Sequence, residues 1–139
     1  MKKITPKELK HLIDSKEDFQ LVDVRERYEY EISNLDGVLI PMQHIPEKLD
    51  EIDKKKKVVI MCRSGVRSAN AVDYLEQHHG FENLYNLVGG ILAYSDDIDS
   101  SIVKYWGMVS IPFPDYTKLL TSKISNRCSL FWNQFSGVN

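Results

Sequence analysis

Hydrophobic and polar positions in this chain follow two periods, one helical and one alternating or continuous, and the switches between them lay out the elements. Thr5-Pro6-Lys7-Glu8 has the form of a helix start: Thr5 can cap, Pro6 suits the first helical position, and Glu8 can close a capping box. Leu9, Leu12 and Ile13 then supply the apolar face. Phe19-Gln20-Leu21-Val22-Asp23-Val24 is a short run rich in β-formers, and Lys57-Val58-Val59-Ile60-Met61 is a more continuous one, the pattern of parallel strands buried on both faces. Val38-Leu39-Ile40 and Asn83-Leu84-Tyr85-Asn86-Leu87 are weaker strands. Between them the pattern predicts a short acidic helix near Glu26 to Glu31, another around Ile45 to Ile52, and a strong one from Ser68 to about His78 that Gly80 stops. Strands alternating with helices at such spacings predict an open α/β sheet covered on both faces. Lys54 to Lys57 is expected to be a solvated turn.

After Tyr105 the pattern changes. Residues 106–139 carry Pro112, Pro114, many Ser, Thr and Asn residues and scattered aromatics, with a short helical pattern from Tyr116 to Ile124. The expected organisation is a domain over 1–105 followed by an extension over 106–139 whose role the sequence does not indicate.

Composition narrows the class. With 139 residues, 42% hydrophobic and 27% charged, the chain has the makeup of one folded domain rather than a disordered or fibrous protein. A formal net charge of -2, spread along the chain, gives no basic field of the kind that draws proteins to nucleic acid or anionic membrane. No apolar run is long enough to span a bilayer, and Met1-Lys2-Lys3-Ile4-Thr5-Pro6 lacks the hydrophobic stretch of a signal peptide, so a cytoplasmic location is expected. His11, His44, His78 and His79 are not grouped with Cys or carboxylates at ligand spacing, and no metal or cofactor is expected. The two cysteines, Cys62 and Cys128, form no paired motif and are read as separate thiols.

The chemistry concentrates in Met61-Cys62-Arg63-Ser64-Gly65-Val66-Arg67-Ser68-Ala69, which joins the strongest strand to the strongest helix. Ligands of open α/β sheets bind at such carboxyl ends of strands. A loop from Arg63 to Ser68 can turn successive N–H groups inward, the following helix adds its positive dipole end, Gly65 permits close backbone approach, and Arg63 and Arg67 add charge. This is a cradle for an anion, and Cys62 stands at its mouth. Helix N-termini and neighbouring arginines favour thiolate, the nucleophilic form of cysteine. An inert core thiol would need none of these neighbours.

The segment from Cys62 to Ala69 closely resembles the active-site loop of single-domain rhodaneses, and it is similar also to the rhodanese domains fused to adenylating enzymes of molybdopterin pathways. Leu21-Val22-Asp23-Val24-Arg25-Glu26, Asp36-Gly37-Val38-Leu39-Ile40-Pro41 and Asn86-Leu87-Val88-Gly89-Gly90-Ile91 recur in the family's order, and the resemblance covers about residues 3 to 105. It implies a five-stranded, mostly parallel sheet flanked by helices and a Cys62 persulfide that carries sulfur from a small anionic donor such as thiosulfate to cyanide or another thiophilic acceptor. A sulfur-carrier or adenylating protein is an implied partner. Arg63, Ser64, Gly65, Val66, Arg67 and Ser68 would bind the donor, while Asp23 and Arg25 would be a buried supporting pair. The chain departs from the family at Ser33-Asn34-Leu35, where relatives often have Gly-His-Ile, and at Tyr94, where tryptophan is common.

Three other readings compete. Cysteine phosphatases and arsenate reductases also set a Cys-to-Arg loop after a strand, but phosphatases place five residues between the two, and here Cys62 and Arg67 are separated by four. A non-catalytic interaction module is disfavoured by the intact cysteine and both arginines. Cys128 could serve as a resolving thiol only on the ground that it is the second cysteine.

Overall fold

A computed structural model describes residues 1–105, and within them Met1–Lys104 form one unit. The expected extension over 106–139, the Tyr116–Ile124 helix and Cys128 lie outside the described residues. Eleven elements follow in order: β1 (Lys2–Ile4), α1 (Pro6–Asp14), β2 (Phe19–Asp23), α2 (Arg27–Ile32), β3 (Val38–Leu39), two 3-10 turns (Met42–Glu47 and Leu49–Glu51), β4 (Lys57–Met61), α3 (Val66–His79), β5 (Leu84–Leu87) and α4 (Gly90–Asp97). The strands form one sheet in the order β1-β5-β4-β2-β3, and every pairing in it is parallel.

Local chemistry explains where the elements begin and stop. Thr5 and Glu8 form the expected capping box, Glu8 N–H donating to Thr5 Oγ1 at 3.3 Å and Thr5 N–H to Glu8 Oε2 at 2.8 Å. Gly80 closes α3 in the left-handed conformation at φ 66°, a position where glycine carries no Cβ penalty. The expected helix around Ile45 to Ile52 is instead two 3-10 turns, because Pro46 offers no N–H to continue an α-helical ladder. The lysine turn is held by Asp53, whose Oδ1 accepts from Lys55 N–H at 2.7 Å and Lys56 N–H at 2.9 Å. Lys57 has left the turn to begin β4, with its ammonium 4.9 Å from the centre of the Tyr85 ring.

Period-two alternation divides the sheet's side chains between two cores. Val22, Val24, Val58, Ile60 and Leu84 pack with Ala71, Val72 and Leu75 of α3 and with Ile45 and Ile52 of the 3-10 turns. Leu21, Val59, Met61 and Leu87, also buried, alternate onto the opposite face, where α1 and α4 pack together through elements that bury Leu9, Leu12, Ile91 and Tyr94. The central β4 is therefore covered on both faces, as its uninterrupted apolar run predicts.

The topology then marks one end of the sheet. From β2 the chain steps outward to β3 and returns to β4 on the other side of β2, so the direction of winding reverses beside β4. The carboxyl ends of strands at such a reversal form the natural crevice of an open α/β sheet, and Cys62 is the residue that follows β4.

Candidate active site

Cys62 lies beneath a loop that both neighbouring β-α turns shape. The residue is buried, and it shares the α3-side core with Val22, Ile60 and Ala71. Arg63, Ser64 and Gly65 carry the chain from β4 into α3, which begins at Val66, two residues earlier than the sequence pattern indicates. Gly65 caps that helix at φ 96°, in the region that favours glycine. Its N–H donates to Cys62 Sγ at 3.0 Å. A Cβ there would stand 3.2 Å from Gly89 N and Leu87 O, so the loop sits tightly on the β5–α4 turn.

Two residues on α3 and β5 complete the surroundings of the sulfur. Ser68 Oγ lies 3.3 Å from Sγ and donates to Asn86 Oδ1 at 2.5 Å, while Asn86 Nδ2 donates to the Gly65 carbonyl at 3.1 Å. The N-terminus of α4 closes the far side: Ile91 N–H donates to Cys62 O at 2.9 Å and Leu92 N–H to Arg63 O at 3.2 Å. Gly90, at φ 61°, makes this docking fit, since a Cβ on it would run into the carbonyls of Cys62 and Arg63.

Asp23 and Arg25 form a buried bidentate pair at the end of β2, Arg25 Nε to Oδ1 at 2.9 Å and Nη2 to Oδ2 at 2.6 Å. The same guanidinium donates to Ser33 O at 2.7 Å and Glu29 O at 3.3 Å, which ties the sheet to the end of α2. Ser33-Asn34 thus makes a turn of its own: Ser33 supplies that carbonyl, and Asn34 Oδ1 accepts from Asp36 N–H at 2.9 Å, holding Asp36 at φ 60°. Glu29, buried, continues the brace by taking Arg67 on both carboxylate oxygens at 2.7 Å each.

The loop residues expected to bind the donor therefore fall into different settings. Gly65 and Ser68 touch the sulfur itself, and Ser68 is fully buried, so it faces the thiol rather than open solvent. Ser64 and Val66 are exposed, Val66 at 64%, and Arg63 is half-buried. Arg67 is half-buried with its charge compensated by Glu29 rather than held open over the loop. Tyr28 senses the same cluster: burial first and Glu29 second raise its pKa, and the positive charges of Arg67 and Arg63 oppose the rise. Asn86, Glu29, Gly89 and Gly90 were not singled out as functional from the sequence. The signals available for them were the Val88-Gly89-Gly90 turn of the fourth recurring segment and an acidic residue on the short helix after Asp23-Val24-Arg25.

Residues 5–97 match the model of the rhodanese-like domain family. The chain belongs to that family. The rhodanese-like domain is 39% identical over 98 residues to YtwF of Bacillus subtilis, named as a sulfurtransferase, with 70% of this chain and 93% of that protein covered. It is 36% identical over 105 residues to MoeZ of Mycobacterium tuberculosis, named as an adenylyltransferase/sulfurtransferase, of which it spans only 26%. Among solved structures, the rhodanese-like domain protein of Staphylococcus aureus is 34% identical with a TM-score of 0.64, over 76% of this chain and 100% of that one. The five-stranded parallel α/β sheet agrees with that likeness.

The histidines stand apart from this centre. His11, His44 and His78 are exposed, and His79 meets Tyr74 Oη at 3.0 Å on the far end of α3. No helix among the described residues is long and apolar enough to cross a membrane.

Proposed function

We propose that this rhodanese-like domain is a sulfurtransferase that passes sulfane sulfur from a small anionic donor to a thiophilic acceptor through a persulfide on Cys62. The observation that carries the reading is the Gly65 N–H aimed at Cys62 Sγ at the head of α3, a fixed dipole placed where negative sulfur would sit. In the first step the Cys62 thiolate attacks the outer sulfur of thiosulfate, the S–S bond of the donor breaks, and sulfite leaves with the electron pair. In the second, cyanide or a thiol attacks the terminal sulfur, the persulfide S–S bond breaks, and the thiolate returns. The two steps balance without an added oxidant or reductant. The names of YtwF and MoeZ support transfer of sulfur as the class of reaction. The likeness to MoeZ also supports a sulfur-carrier or adenylating protein as the acceptor's source.

Phosphatase or arsenate chemistry is the weaker reading. An oxyanion loop of that kind needs its arginine turned toward the bound oxyanion, whereas both carboxylate oxygens of Glu29 hold Arg67. Steady-state thiocyanate formation tests the proposal. Ping-pong kinetics with thiosulfate and cyanide, lost in Cys62→Ala, is the expected outcome. Retained turnover in Cys62→Ala, or hydrolysis of aryl phosphates in place of thiocyanate formation, contradicts it.

A further inference from the structure

The hydrogen bonds around Cys62 leave one proton with two places to go. Asn86 has a fixed orientation, because its Nδ2 donates to the Gly65 carbonyl at 3.1 Å; flipped, it would set two carbonyl oxygens against each other. Its Oδ1 therefore faces Ser68 Oγ, at 2.5 Å, and must accept the hydroxyl proton. A serine hydroxyl has one proton to donate. Toward Cys62 Sγ, 3.3 Å away, Ser68 then presents a lone pair, which suits a neutral S–H donating to Oγ and opposes a sulfur anion.

We propose that Asn86 is a positioning residue that, through the Ser68 hydroxyl, holds Cys62 in its neutral thiol form until the sulfur is called on to react. When Cys62 loses its proton to solvent, the Ser68 hydroxyl rotates and donates to the sulfur anion beside the Gly65 N–H. Asn86 Oδ1 then lies buried without a donor, and that cost opposes ionisation. Asn86 also holds the Gly65 peptide, so one side chain on β5 governs both groups that touch the sulfur. This goes beyond the sulfur-transfer reading and holds whichever anion the thiolate attacks.

The charged and titratable groups around this end of the sheet are Asp23 with Arg25 after β2, Glu29 with Arg67 between α2 and α3, Arg63 on the loop and Tyr28 on α2. The first turn of α4 brings no acidic residue. All are common to the variants compared, so they cancel in the comparison.

The test is the pH dependence of thiolate ultraviolet absorbance in the full chain carrying Cys128→Ser, read as the difference from the same protein with Cys62→Ala. Asn86→Leu removes the competing acceptor and frees the hydroxyl for the sulfur. About tenfold more thiolate at a given pH is expected, so that the transition moves roughly one pH unit lower. In the Ser68→Ala background the same substitution loses only its bond to the Gly65 carbonyl and should move it clearly less. An equal displacement with and without Ser68, an upward one, or none, overturns the proposal. Should Asn86→Leu not fold, Asn86→Ala takes its place in the same cycle. An infrared measurement on the unaltered site is independent of either: the S–H stretch of Cys62 should be displaced to the low-frequency side of a free thiol and return on Ser68→Ala. A band already at the free-thiol position contradicts the arrangement.

Discussion

Gly90→Ala is the sharpest structural perturbation available, because two separate penalties meet at one atom. The residue sits at φ 61°, and its added Cβ would overlap the carbonyl oxygens of Cys62 and Arg63. A non-glycine residue in the left-handed region costs about 1–2 kcal/mol. Relief of the overlap must lift the start of α4, which breaks Ile91 N–H to Cys62 O (2.9 Å) and Leu92 N–H to Arg63 O (3.2 Å). At a net ~0.5–1.5 kcal/mol each, the pair contributes about 1–3 kcal/mol, for a total near 2–5 kcal/mol. Gly80→Ala supplies the internal control: it has a similar φ of 66° but nothing within 4 Å of the new Cβ, so it pays strain alone. Urea unfolding of the two variants, compared at equal slope, should therefore separate them by about 1–3 kcal/mol, with Gly90→Ala the less stable. Thiocyanate formation should fall with Gly90→Ala, whose clash bears on the reactive loop, and be kept with Gly80→Ala at the other end of α3. Equal stability losses would refute the reasoning that α4 is docked on the Cys62 loop through this glycine.

Other expectations follow from the same geometry. Asp23→Asn removes the bidentate carboxylate from the fully buried Arg25 guanidinium and should cost roughly 3–5 kcal/mol by chemical denaturation, far more than any exposed pair such as Lys10–Asp14. Thr5→Ala removes the cap of α1 and should cost about 1 kcal/mol, read as a lower urea midpoint. Hydrogen bonds from Thr5 hold the Glu8 carboxyl below its ordinary value, and the backbone N–H groups of Lys56 and Lys55 do the same for Asp53. A depressed carboxylate stabilises the fold above its unfolded pKa and loses that contribution as pH falls through the folded one, so stability should decline on acidification through and below the ordinary carboxylate range. Thr5→Ala keeps the backbone N–H that lowers Glu8 most and removes the hydroxyl that lowers it next, so it should flatten the Glu8 part of that decline only in part, in denaturation curves taken across pH.

What the sequence made legible was what it carried contiguously. The strand Lys57–Met61, the glycine at 65 and the helix that follows stand in one unbroken segment, and Thr5-Pro6-Lys7-Glu8 and Gly80 are local signals that act within a turn. Partners delivered from a distance were hidden. Asn86 reaches Ser68 across 18 residues, and Glu29 reaches Arg67 across 38, with no periodicity to announce either. The strand Lys2–Ile4 escaped because it is three residues long at the sheet's edge and buries Ile4 alone. Helix α4 escaped for the opposite reason: it opens on Gly89-Gly90, residues that ordinarily interrupt helices, and here Gly90 is required by its close approach to the Cys62 and Arg63 carbonyls and Gly89 by its approach to Ala93. The pairing of Arg67 with Glu29 is likewise not written in the sequence, since only the fold brings the two together.

The central claim is that Cys62 carries sulfur, and intact mass of the full chain after thiosulfate treatment tests it most directly. The account predicts a gain of about 32 Da, one sulfur atom, that cyanide removes, that persists in Cys128→Ser and that is absent in Cys62→Ala. A folded, reduced protein that takes up no sulfur, or takes it up equally in Cys62→Ala, would contradict it.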